Sequence, residues 1–62
     1  MENYEYLVNE YARASAEIRY LSVLKNFNTD KYKDNRVYID RELIELEKEC
    51  GSLLYKMEKE PV

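Results

Sequence analysis

The chain contains no histidine and no tryptophan, and only one each of cysteine, glycine, proline and phenylalanine among 62 residues. Each scarcity removes a class of answer. Without histidine, the commonest general acid–base group is missing and a zinc site of Cys/His type has no ligands to draw on. A single thiol cannot close an intrachain disulfide and suits a reducing compartment. One glycine and one proline exclude collagen-like, low-complexity and glycine-linker chains. No apolar run approaches the ~18 residues that would span a bilayer. The opening Met1-Glu2-Asn3-Tyr4-Glu5 is acidic and lacks the positive start and apolar core of a signal peptide. No lipidation motif is found. A cytoplasmic location is the expectation.

What is abundant is apolar and charged side chains, at 45% and 37%, the proportions of a long-helix or coiled-coil chain. Tyr4, Leu7, Tyr11, Ala14, Ile18 and Leu21 recur at steps of 3, 4, 3, 4 and 3. Ile39, Leu43, Leu46, Cys50, Leu53 and Met57 recur at 4, 3, 4, 3 and 4. Both are seams of the 3.5-residue repeat. The spacing predicts an all-α, single-domain chain: helix 1 over about 2–26, a loop at 27–29 and helix 2 over about 30–59. Asn28 or Thr29 is expected to cap the second helix, with Asp30 beside the positive end of its dipole. Asp34 is a competing cap that would leave Tyr32 outside, and Tyr32 lies one heptad before Ile39, which favours the earlier start. Pro61 is expected to mark the far end. Gly51-Ser52 is a recognised kink site, but the seam keeps register through it, so a continuous helix is expected. The alternative is that Gly51 admits a close backbone.

Folding back at Asn28-Thr29 pairs seam positions whose numbers sum to 57. Tyr4 would meet Leu53, Leu7 Cys50, Tyr11 Leu46, Ala14 Leu43, and Ile18 Ile39, while Leu21 would face Arg36. This predicts an antiparallel two-helix hairpin, coiled-coil-like. One seam cannot bury enough surface for a stable chain of this length. Apolar side chains also lie off the seam: Tyr6, Val8, Tyr20, Val23, Leu24 and Phe27 on the first helix, and Val37, Ile44, Leu54 and Tyr55 on the second. A contiguous exposed patch of these would mark an interface. The simplest solution is a homodimer in which two hairpins make a four-helix bundle. The expected interaction residues are Tyr6, Tyr20, Val23, Phe27, Val37, Tyr38, Ile44, Leu54 and Tyr55. Tyr4 and Tyr11 are read as core, and Tyr32 with the off-seam tyrosines as interface candidates.

Catalytic chemistry is not expected, and neither are cofactors or metals. Cys50 has no activating neighbour and reads as a buried structural thiol. Glu42, Glu45, Glu47 and Glu49 read as a solvated acidic face, since the inward positions are apolar. No glycine-rich phosphate loop, EF-hand loop or Walker pattern occurs. Net charge is −3, divided as −2 over residues 1–24, +2 over 25–41 and −3 over 42–62. That leaves no broad basic face for a phosphate backbone.

In length and hairpin architecture the chain resembles the plasmid copy-number regulators known as Rop, helical-hairpin dimers that bind paired RNA loops. The resemblance is architectural: no motif is shared, and their binding face is basic whereas helix 1 here is net acidic. The leading expectation is a non-catalytic interaction module, a regulator or inhibitor of the phage accessory type that binds another protein. One version mimics nucleic acid, with Glu42, Glu45, Glu47, Glu49, Glu58 and Glu60 supplying charge and Tyr38 and Tyr55 as anchors. The rival is a nucleic-acid binder using Lys25, Lys31, Lys33, Arg36 and Arg41, weakened by Asp30, Asp34 and Asp40 among them. A third reading is a structural assembly subunit. No membrane partner is expected.

Overall fold

The computed structural model describes residues 2–59, with side-chain surroundings for 4–59. Among these the chain is all-helical. Helix α1 runs over Glu2–Asn26, α2 over Asp30–Asp34 and α3 over Arg36–Lys59. Pro61, the expected stop, and Glu60 lie outside the described residues. The long helices pack against one another, giving a rod of 44 × 14 × 13 Å.

The reversal after α1 is built from backbone hydrogen bonds. Thr29 N–H donates to Leu24 O at 3.1 Å and Asn28 N–H to Lys25 O at 3.0 Å. That pair of bonds, with Asn28 left-handed at φ 51°, is a Schellman C-terminus in which asparagine takes the position glycine favours. Thr29 is the cap of α2: its hydroxyl oxygen accepts from Tyr32 N–H and its own O–H donates to Leu24 O, both at 3.2 Å. The two cap candidates therefore divide the work, Asn28 closing one helix and Thr29 opening the next.

The expected single second helix is two helices. Asn35 leaves helical geometry at φ −129°, ψ 30°, and its side-chain amide donates to Lys31 O at 2.9 Å, satisfying a carbonyl at the end of α2. Asparagine competes with the helical ladder in this way. Helix α3 then restarts, with Ile39 N–H bonding Asn35 O at 2.8 Å. The separate α2 changes the pairing register. Ser15 Oγ lies 4.0 Å from Cys50 Sγ and Lys25 Nζ lies 3.3 Å from Asp40 Oδ1. Both pairs sum to 65 rather than 57. Ser15 stands eight residues from Leu7, about 12 Å of helix, so Leu7 is not opposite Cys50. The other pairings expected from the same sum shift with it, and Leu21 joins Ile39 and Leu43 instead of facing Arg36.

Membership of the seam nevertheless agrees with the sequence pattern. Leu7, Ala14 and Leu21 are buried along α1, and Ile39, Leu43, Cys50 and Leu53 along α3. Tyr4, Tyr11, Ile18, Leu46 and Met57 are half-buried. Tyr32 is a correction: it is buried in the cluster with Leu21, Ile39 and Leu43, where it plugs the loop end of the seam. Cys50 is a buried free thiol.

Helix α3 passes through Gly51-Ser52 without interruption, and a Cβ placed on Gly51 would meet nothing within 4 Å. Within this chain no close backbone requires the glycine. Gly51→Ala is therefore expected to stabilise by about 1 kcal/mol, a rise in Tm of about 4–8 °C. A thermal melt followed by circular dichroism checks it, and an unchanged or lower Tm would contradict it.

Candidate interaction surface

The described side chains leave a large apolar population in water. Phe27, Val37 and Tyr38 are 76%, 73% and 63% exposed, and Tyr6, Tyr20, Val23, Ile44, Leu54 and Tyr55 are also exposed, as is Val8. The total accessible surface is 5069 Å². A globular monomer of 7.5 kDa would expose about 4,200 Å². The excess of about 800 Å² goes with the elongated 44 × 14 × 13 Å shape, in which two helices bury one seam only.

These side chains do not form one patch. Buried Leu7, Ala14 and Leu21 fix the inner side of α1. At 100° per residue, Val23 and Phe27 fall about half a turn away from it, with Tyr20 beside them. On α3 the buried Ile39, Leu43, Cys50 and Leu53 place Val37, Ile44 and Tyr55 on the far side in the same manner. Since the inner sides face each other, the two outer rows point in opposite directions. The expected contiguous patch is thus two separate surfaces, with Tyr6, Tyr38 and Leu54 on the flanks.

The loop end brings some candidates together. Tyr20 and Tyr38, from different helices, line a groove of about 210 Å³ with Glu17, Leu21, Lys31, Asn35 and Ile39. Lys31 Nζ donates to Tyr20 Oη at 3.0 Å and is 5.4 Å from the ring centroid. The ammonium therefore sits off the hydroxyl end rather than over the ring face. The hydrogen bond to Tyr20 is the main cause that raises the Lys31 pKa above its ordinary value. Lys59 Nζ lies 5.0 Å from the Tyr55 ring centroid on the opposite end of the rod. Around the α2–α3 junction a second hollow of about 320 Å³ is lined by Lys33, Asp34, Asn35, Arg36, Val37 and Tyr38.

The cationic candidates are dispersed. Lys25 pairs with Asp40 and Lys31 with Tyr20, while Lys33 and Arg36 share their hollow with Asp34. Arg41 is exposed on α3. Asp40 Oδ1 also accepts the Tyr32 hydroxyl at 3.0 Å, a contact no periodicity argument anticipated. Burial, then the hydrogen bond to Asp40 and its negative charge, raise the Tyr32 pKa. Among the described residues no three Asp, Glu, Cys or His side chains gather to hold a metal ion, and no helix is long and apolar enough to cross a membrane. Compared with known proteins, the chain matches no family model, no curated protein and no solved structure at a significant level.

Proposed function

We propose that this chain is a small, non-catalytic, cytoplasmic interaction module that associates with itself and binds another protein as a regulator or inhibitor, in the manner of a phage accessory protein. The observation that supports this reading is the exposure of Phe27, Val37 and Tyr38 at 76%, 73% and 63%. Aromatic side chains such as Tyr are enriched among the residues that carry binding energy at protein interfaces, and leaving large apolar groups hydrated is costly. The rival nucleic-acid reading asks more of the charges. With Lys25 and Lys31 already engaged, it would rest on Lys33, Arg36 and Arg41.

The discriminating experiment has two arms. Labelled RNA and DNA titrated at about 50 mM salt are expected to show no binding, whereas a measurable affinity falling steeply with salt would favour the rival. In the second arm, tagged wild type and Val37→Asp/Tyr38→Ala are used to capture proteins from a suitable lysate. A protein retained by the wild type and lost with the variant is the expected result. Identical capture profiles would overturn the role given to these side chains. Light scattering that showed a large or open oligomer would favour the assembly-subunit reading instead.

A further inference from the structure

The outer row of α1 differs chemically from that of α3. Asn9, Ala12, Ala16, Tyr20, Val23 and Phe27 follow one another at steps of 3, 4, 4, 3 and 4, all exposed and none charged. They cover about 27 Å of helix at 1.5 Å per residue. The matching positions on α3 alternate apolar groups with cations, Arg41 and Lys48 lying between Val37, Ile44 and Gly51. Burying that face would desolvate both charges, whereas the α1 row carries none itself and meets charge only at its edges, where Arg13 and Arg19 flank it and Lys31 is bonded to Tyr20.

The α1 row is also graded by size, small in its N-terminal half and bulky in its C-terminal half. Turned antiparallel upon itself about the level of Ile18, it sets Asn9 against Phe27, Ala12 against Leu24, Arg13 against Val23 and Ala16 against Tyr20. Each small side chain then meets a large one, as close packing between helices requires. A parallel arrangement would stack bulky on bulky and leave a gap between the alanines.

We propose that the outer row of α1 is the contact surface for a second copy of this chain, packed antiparallel about a two-fold axis near Ile18. This rests on the association reading above and gives it a location. Two facing α1 helices at the centre, each backed by its own α3, account for the apolar groups on both sides of α1. The α3 row and Tyr38 then remain available to a different protein.

Sedimentation equilibrium at micromolar concentration tests the proposal with wild type, Ala16→Glu, Phe27→Glu and Ile44→Glu. Wild type and Ile44→Glu are expected to be dimers. Ala16→Glu places two carboxylates at the centre of the contact and is expected to weaken the dimer about 100-fold or more. Phe27→Glu should also weaken it. Position 16 is exposed and glutamate is a good helix former, so loss of the dimer will not reflect loss of the helix. An Ala16→Cys variant treated with a short bismaleimide should cross-link between copies, with wild type, whose only thiol is buried, as the control. Dimers that survive Ala16→Glu but not Ile44→Glu would overturn the location. A monomeric wild type would overturn self-association, leaving the binding of another protein to be judged by the capture experiment.

Discussion

Ile39→Ala is expected to leave the folded and unfolded forms comparably populated at room temperature. Ile39 is the most enclosed side chain described, at 2% exposure, and it sits where Leu21, Tyr32 and Leu43 converge. Truncating a buried isoleucine costs about 2–5 kcal/mol, because the apolar transfer energy is lost and a cavity remains. A core in a chain this short supplies only about 3–5 kcal/mol of net stability, so the two quantities are of equal size. Urea unfolding followed at the helical circular-dichroism band should show the midpoint fall close to zero denaturant. Ile39→Val, which removes one methylene, should cost about 0.5–1.5 kcal/mol and retain a cooperative transition. A small effect from the alanine variant would mean that the Ile39 cluster is not the centre of stability.

Tyr32 provides the second large effect, because one side chain closes the end of the seam and ties α2 to α3. Its ring is buried against Leu21, Ile39 and Leu43, and its hydroxyl donates to the Asp40 oxygen that also receives Lys25. Tyr32→Ala is expected to undock α2 and lower the Tm by more than Gly51→Ala raises it. Tyr32→Phe keeps the packing and should cost much less, since Asp40 is partly exposed and retains Lys25. The two variants also separate in alkali. Burial and Asp40 raise the Tyr32 pKa above its ordinary value of 10.0, so the folded chain holds a proton that the unfolded chain releases. Stability from this source is complete below pH 10 and is lost as the pH rises through 10 to the folded-state value. Melting curves recorded across that window should fall more steeply for wild type than for Tyr32→Phe. Equal slopes would show that the phenol contributes nothing to the alkaline transition. The difference between the two ultraviolet titrations isolates the Tyr32 ionisation directly.

The loop illustrates where reading residues locally succeeds. Thr29 and Asn28 carry their chemistry in short-range hydrogen bonds, so the end of α1 at Asn26 and the start of α2 at Asp30 were legible from the sequence. Asn35 was not. A helix-weakening residue in a strongly periodic segment is usually tolerated, and only the bond from its amide to Lys31 O reveals that the chain turns there. The surface side chains were legible one by one, since each lies off a heptad seam. Their grouping was not, because whether two stripes merge into one patch depends on where the opposite helix sits.

The heptad pattern by itself determined which side chains face inward: Leu7, Ala14 and Leu21 on one helix, Ile39, Leu43, Cys50 and Leu53 on the other. Periodicity fixes a face because burying a charged side chain costs far more than rotating a helix by part of a turn. It could not fix how far the helices slide past each other, since a slip of one heptad presents the same kinds of residue to the same side. That choice was made in three dimensions. Asn35 breaks the return helix, Tyr32 fills the end of the seam, and Cys50 lies beside Ser15 rather than Leu7.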